Sequence, residues 1–571
     1  MPRANTDRSR IGHAPRPDSR LTGVGPLAFL LGPVPSPTHD FLWHRRRLGR
    51  YAGLRCRASR SRSTGVEAPS SDGQGTLPVT HDRSLDRRRH GIGGLIVVLS
   101  TAAIVRVAMV AVWVERLDGT TFGFGDSVSY WQLAERLATG ESYEFGWEGA
   151  RCFRAPGYPF LLSLLFRLPG EPSVLAARGL GVAIGIGVVA AIYALAARFG
   201  GRRVAFVAGL LAALSPELGL SSGLVLAETT FDLLLVGQGL VWLGYRRATT
   251  DGVRWRSAAL LGLLAALSVL VRPSWLPGIG LWTLGLLLVT GVRTDRREGL
   301  DRAAATPSAM SPSGPAFASR LTAAMLCVVV FSLTMSPWWV RNALLFGRFV
   351  PTTLQTGASL YDAWNPEADG GSDMSRIDAE RLAFVRRSAA EWLDREEREA
   401  WFAQLPRHPQ AEDYWPKIRS VVPRLWRRLQ EEDHSLPPFE VAFDASLGNT
   451  ARTWGAEHPE RVAQLAGTKL LHLWSPWPRD GLGRSALVRW VWGGAWFVLL
   501  VGAVLGVRPI GRDRDAWILV APALLVTLLH VVYVASIRYR EPALPGLIII
   551  AATGLASIGS RLTWGKGRAI D

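Results

Sequence analysis

Long apolar blocks alternate along this chain with short loops that carry most of its charge. The blocks cover 92–114, 173–197, 204–218, 222–245, 257–271, 275–292, 321–338, 488–507, 516–536 and 542–557. Each reaches or approaches the ~20 residues needed to cross a hydrocarbon core, which core helices of water-soluble proteins rarely do. The pattern predicts an α-helical polytopic membrane protein with about ten or more transmembrane helices. One further apolar run, 156–168, is too short for a full crossing and reads as a re-entrant or juxtamembrane helix. If it crossed, every downstream loop would change sides.

The loops supply the orientation. Arg198, Arg202 and Arg203, then Arg246, Arg247, Arg254 and Arg256, then Arg293, Arg296 and Arg297, then Arg508, Arg512 and Arg514 fall between spans on one side. The cluster from Arg83 to Arg89 and the C-terminal Arg561, Lys566 and Arg568 fall on that side too, which the positive-inside bias makes cytoplasmic. Two long regions are then extracytoplasmic. Residues 115–172 form the first outer loop, with 156–168 lying along the membrane surface, and residues 341–487 form a mainly helical insert with interspersed Trp and Pro. The expected organisation is a basic N-terminal segment (1–91), a transmembrane module (92–340), the insert (341–487) and a second transmembrane module (488–571).

Composition agrees with insertion in a membrane: of 571 residues, 48% are hydrophobic and 20% charged. The formal net charge of +18 could suggest nucleic acid, but residues 1–90 hold 17 Arg, no Lys and 7 acids and so contribute +10 of it. An orientation signal explains the remainder, and no nucleic-acid partner is expected. The segment 1–91, rich in Arg, Ser, Pro and Gly, is expected to be disordered, as is the Ala, Ser and Pro-rich linker 294–320. The N-terminal segment lacks the ordered pattern of a secretory signal, and a misassigned translation start is the competing expectation. The 3 cysteines, Cys56, Cys152 and Cys327, lie far apart and suggest neither a zinc site nor a disulfide framework.

Candidate chemistry gathers on the outer face. Asp126, in the first outer loop, sits where desolvation at the membrane edge raises a carboxyl's pKa toward that of a working base. It also precedes Tyr130, Leu133 and Leu137 at helical spacing, so a helix N-cap is the competing reading. Arg154 precedes a Pro-Gly turn and can grip an anionic head group; an arginine that merely snorkels to bulk lipid would look the same. Glu228 is expected within about two turns of the outer end of its span, where a carboxylate is costly unless it faces a cavity or a cationic partner. Arg272, Arg341, Arg538 and Arg540 also fall at outer span ends, against the positive-inside bias. Together these groups would make an acid-containing, phosphate-binding cleft.

Other signals carry less. Gly219 to Gly223 matches G-x-S-x-G but lies between two apolar spans, not between a strand and a helix. Gly181-Val-Ala-Ile-Gly185 reads as close helix packing. His472 and His530 lack an H-E-x-x-H partner and read as structural.

Taken in order, the acidic first loop, R-A-P-G-Y-P at 154–159, S-P-E-L at 215–218 with the A-E-T around Glu228, V-R-P at 271–273, S-P-W-W-V-R-N at 336–342 and R-Y-R-E-P-A-L-P at 538–545 resemble the GT-C glycosyltransferases. The bacterial branch related to protein mannosyltransferases and lipid A aminoarabinose transferases is the most similar in pattern. The resemblance implies a multi-pass enzyme of the bacterial inner membrane with its active site on the extracytoplasmic side. Its reaction would be an inverting transfer, of hexosyltransferase type, from a polyprenyl-phosphate-linked sugar to a lipid, glycan or protein acceptor. Asp126 would be the base, with Glu228 as the second acidic position that orients the acceptor or binds a metal. Arg154, Arg272, Arg538 and Arg540 would hold the donor phosphate, and Tyr130, Tyr158 and Tyr539, carried by the same motifs, would line the substrate site. A divalent metal is a possible cofactor, although Asp126 is followed by Ser127 and not by a second acid. The alternative from another class is a transporter or flippase of lipid-linked sugars, with Asp126 and Glu228 as coupling residues. It predicts internal repeats and broken helices near the midplane, which the chain does not clearly show. A membrane scaffold whose insert binds a partner would make no demand on Asp126.

Overall fold

The computed structural model describes residues 83–117, 121–146, 149–168, 171–288, 316–405, 414–479 and 485–566. The expectations for residues 1–82, for most of the linker and for Arg568 therefore lie outside the described residues. Helix α1 (Arg83–Glu115) starts inside the stretch expected to be disordered through residue 91. Once the apolar turns are formed, extending the helix costs little per residue.

Helix α2 (Gly125–Thr139) opens the first loop and α3 (Gly157–Phe166) closes it. With 10 residues, α3 is about 15 Å long, half of a hydrocarbon core. It lies across the end of α7: a Cβ placed on Gly157 would fall 2.7 Å from the Leu270 carbonyl oxygen, so only glycine permits the contact.

Helix α4 (Val174–Leu214) joins two of the expected spans, with non-helical backbone at Gly200 (φ −141°, ψ 16°) and Gly201 (φ 69°, ψ −162°). The halves fold back on each other, because a Cβ on Gly209 would come within 3.0 Å of Tyr193. The expected 222–245 span is divided. Helix α5 (Pro216–Gly223) ends, Leu224 to Ala227 are non-helical, and α6 (Glu228–Arg247) begins at Glu228. Glu228 thus heads its helix instead of sitting two turns inside it. There the helix dipole favours a carboxylate.

Helix α7 (Asp251–Val271), a 3-10 turn (Pro273–Trp275), α8 (Gly278–Leu288) and α9 (Phe317–Phe346) complete the first half. The last runs past the expected end at residue 338, so Arg341 lies within a helix. The insert comprises α10 (Thr356–Ala363), α11 (Met374–Trp392), α12 (Arg395–Ala403), α13 (Tyr414–Glu432), α14 (Phe439–Glu457) and α15 (Pro459–Leu473). Helices α16 (Ala486–Ile510) and α17 (Trp517–Val532), a 3-10 turn (Ile537–Ala543) and α18 (Leu544–Lys566) close the chain.

Among the described residues, 6 helical segments are long and apolar enough to cross a membrane: Ile92–Glu115, Val174–Leu214, Asp251–Val271, Phe317–Phe346, Ala486–Ile510 and Ile537–Ile558. Their outward faces are apolar as well. Ile104, Leu333 and Val504 are 66% to 74% exposed, a surface that water penalises and lipid does not. The chain is a polytopic α-helical membrane protein. The glycines of 181–185 pack as expected, since a Cβ on Gly181 would lie 2.3 Å from the Ser222 carbonyl oxygen.

The insert has an apolar core of its own around Val385, Ala389, Leu425, Trp426 and Leu429. It is tied to the bundle at several places. The Glu440 carboxylate on α14 accepts the backbone N–H groups of Arg151 (2.8 Å) and Cys152 (2.9 Å). Beyond α17, Ala535 N–H donates to the Gly370 carbonyl at 3.0 Å, and the Lys469 ammonium donates to the Val532 carbonyl at 2.7 Å. Lys469 is fully buried, and that burial pulls its pKa down to about 8 despite the opposing charge of Asp362.

Candidate functional site

Five charged side chains from four parts of the chain form a row at the Glu228 end of α6. Arg154 Nη2 reaches Asp126 Oδ1 at 2.5 Å, and Arg538 Nη2 pairs with Asp126 Oδ2. Arg538 Nε then faces Glu228 Oε1 at 2.8 Å, and Arg272 Nη1 lies 3.8 Å from the same oxygen. Charge alternates along it: Arg154, Asp126, Arg538, Glu228, Arg272. At the other end of α6, Arg246 pairs with Asp515 at 2.9 Å, so the row belongs to one end of the bundle.

Local sequence explains each placement. Asp126 lies in the first turn of α2, but the N-cap is Phe124 and no side chain caps the helix. The capping reading is therefore wrong: both Asp126 oxygens are committed to guanidiniums. Arg154 stands just before Pro156 and α3; its Nε donates to Ser129 Oγ at 3.0 Å and its Nη1 to Gln355 Oε1 at 3.4 Å. Arg272 follows α7, where Pro273 ends the helix. Arg538 sits in the 3-10 turn before α18.

The expectation of a raised pKa at Asp126 is overturned. Burial does push it up, but Arg154 and Arg538 together outweigh burial and hold the carboxyl well below the usual carboxylate range. Burial likewise works against charge on Arg154, and Asp126 more than offsets it, so Arg154 stays above its ordinary value. The three expected tyrosines frame the row. Tyr130 meets Tyr158 edge-on at 5.1 Å and lies under Arg154 at 5.3 Å, while Tyr539 lies under Arg538 at 5.4 Å and Arg272 at 6.0 Å. Burial raises the pKa of both Tyr130 and Tyr158, so they remain neutral donors.

Arg540 does not join the row. Its guanidinium is fully buried, engages both oxygens of Glu217 on α5, and donates to the Leu473 and Ser475 carbonyls. Its expected phosphate role is set aside, since its donors are already spent. Arg341 is also elsewhere, with its guanidinium over Trp338 at 4.7 Å and Tyr143 at 5.5 Å. His530 stacks on Tyr539 at 4.6 Å, with Nδ1 2.6 Å from the Val534 carbonyl oxygen.

Sequence reasoning missed Glu217, Asp232 and Glu541. Asp232 is four residues after Glu228 on the same helix face, a usable signal, and it is buried. Glu541 accepts a hydrogen bond from Ser221 Oγ, the serine of the G-x-S-x-G match.

A small pocket opens beside Arg272, lined by Phe231, Trp275, Leu525, Leu529, His530 and Tyr539. A second small pocket shares Trp275 and Pro542 with it and lies along α17 beside Pro522, Ile518 and Trp517. Beside the first pocket Arg272 Nη1 is buried with no hydrogen-bond partner. A divalent cation does not suit the row, because its two carboxylates face three guanidiniums. Among the described residues, no group of three or more His, Cys, Asp or Glu side chains is arranged to hold a metal ion.

No family model and no curated protein matches the chain. Solved structures do. The oligosaccharyltransferase AglB of Archaeoglobus fulgidus, in complex with an inhibitory peptide and a dolichol-phosphate, is 14% identical with a TM-score of 0.46, covering 83% of this chain and 51% of its own. ArnT from Cupriavidus metallidurans bound to undecaprenyl phosphate is 16% identical with a TM-score of 0.36, covering 82% of this chain and 78% of its own. An Archaeoglobus fulgidus oligosaccharyltransferase in complex with Zn and sulfate is 13% identical with a TM-score of 0.42, covering 82% of this chain and 50% of its own. This chain thus spans about half the length of AglB.

Proposed function

We propose that the chain is an inverting glycosyltransferase that moves a sugar from a polyprenyl-phosphate carrier to a lipid, glycan or protein acceptor on the extracytoplasmic face of a bacterial inner membrane. The observation that carries this reading is Arg272: a buried guanidinium, 3.8 Å from the Glu228 carboxylate and with no hydrogen bond on Nη1, standing beside apolar pockets. Such a pairing suits an amphiphilic anion, a phosphate on a long hydrocarbon tail.

In the row, Arg154 and Arg538 both pair with Asp126. An entering donor phosphate competes with Asp126 for these guanidiniums. As it draws them away, Asp126 loses the partners that hold its pKa down and becomes a better base. The acceptor hydroxyl then attacks the anomeric carbon and gives its proton to Asp126. The anomeric carbon–oxygen bond breaks with its electron pair leaving on the polyprenyl phosphate, whose new charge Arg154, Arg272 and Arg538 stabilise. Glu228 keeps Arg538 and Arg272 apart and correctly aimed. Tyr130, Tyr158 and Tyr539 form the walls. No step calls on a metal ion.

The test is binding of undecaprenyl phosphate to the protein in nanodiscs, followed by transfer from a lipid-linked sugar. Saturable binding weakened by Arg272→Ala supports the reading. Binding equal to that of an uncharged polyprenol, or unaffected by Arg272→Ala, would falsify it.

A further inference from the structure

We infer that Glu217 is a positioning residue: by holding Arg540, it sets the 3-10 turn Ile537–Ala543 at the angle that aims Arg538 into the charged row. The inference rests on the donor-site reading above for its functional meaning, but its geometry stands by itself.

The two arginines of R-Y-R lie two residues apart in a turn with about three residues per turn, so they cannot face the same way. Arg538 faces Asp126 and Glu228. Arg540 faces the opposite wall and ties together parts of the molecule that are distant in sequence. Its Nε lies 3.2 Å from Glu217 Oε2 on α5, and Nη2 pairs with Oε1. Nη1 donates to Ser475 and, at 3.3 Å, to Leu473 at the end of the insert. The guanidinium plane lies 4.0 Å from the centre of the Trp496 ring on α16.

Glu217 is itself anchored in the first turn of α5, which starts with Pro216 and is capped by Ser215 Oγ accepting from Leu218 N–H at 3.4 Å. The same short helix holds the turn a second time, through Ser221 Oγ donating to Glu541. Glu541 is three residues after Arg538 and so lies on Arg538's side of the turn. Helix α5 therefore grips both sides of the segment that presents Arg538. A rotation that relaxed Arg540 would swing Arg538 out of line with Asp126. The turn is a lever with Glu217 at its fixed end.

The test compares Glu217→Gln, which keeps the size but removes the charge, with Glu217→Asp, which restores the charge on a shorter arm. Two readouts are taken on each protein in nanodiscs: the Arg538 to Asp126 pairing by cryo-electron microscopy, and the affinity for undecaprenyl phosphate. Glu217→Gln is expected to displace Arg538 from Asp126 and to weaken binding about tenfold, with partial recovery in Glu217→Asp. Arg538 still paired with Asp126 in Glu217→Gln overturns the inference, whatever happens to thermal stability. If the unaltered protein binds no undecaprenyl phosphate, the donor reading falls while the pairing readout still decides the lever. Should Glu217→Gln fail to fold, Arg540→Lys, which keeps the charge but loses the two-pronged contact, is read the same way.

Discussion

Arg538 and Arg540 are separated by one tyrosine, yet they live in opposite environments. Arg538 is 25% exposed and is shared between two carboxylates. Arg540 is 0% exposed and held by one carboxylate, two carbonyls and an aromatic ring. An arginine that must release its partner for a substrate needs some access to solvent and an excess of positive charge nearby. One that organises a turn needs complete satisfaction, because a lost partner would strand a buried charge.

Substitutions can sharpen that contrast, and the largest effect is expected at the row's centre. Asp126→Asn should lower transfer by about 10²- to 10⁴-fold, the usual worth of a general base, while the protein inserts and folds normally. It should also bind undecaprenyl phosphate at least as tightly, because the competing carboxylate charge is gone. Retained turnover would remove Asp126 as the base, and weaker phosphate binding would refute the competition.

On the sealed side, Arg540→Ala should cost about 3–5 kcal/mol of stability, since Glu217 is left without its cation. Thermal unfolding in nanodiscs measures this, and a loss comparable to that of Arg538→Ala would erase the distinction drawn here.

Arg154→Ala comes next. Losing a charge-assisted contact of about 1.5–3 kcal/mol should weaken donor binding by roughly one to two orders of magnitude, seen as a raised KM for the lipid-linked sugar. An unchanged donor dependence would exclude Arg154 from the phosphate site.

The smallest effect concerns pH. Two guanidiniums favour the charged form of Asp126, so the acid limb of kcat/KM for the free protein should lie below the ordinary aspartate value of about 3.9. Arg538→Gln removes one of them and should move that limb upward. A limb that stays in place, or moves down, would show that Asp126 does not titrate in it.

Much of this molecule was legible in its residues. The apolar spans, the short run 156–168 and the basic loops each depend on local composition, and helices in lipid satisfy their own backbone whatever lies beside them. The helix-ending Gly, Pro and Ser positions near 200, 215 and 273 likewise act over a few residues. Less legible was the start of α6. Leu224 to Ala227 are as apolar as the helix that follows, so composition does not mark the break there.

For the site, sequence alone determined that Asp126, Arg154, Glu228, Arg272 and Arg538 are the unusual charges in their segments. It did not determine which of them touch, nor that Asp126 is pulled below the carboxylate range instead of above it. It also could not separate Arg538 from Arg540. Those outcomes depend on which partner stands within a few ångströms, and the partners come from residues 28 to 412 positions away. Charge identity is a property of the chain; charge pairing is a property of the fold, because Coulomb energy and burial depend on distances that only tertiary packing sets.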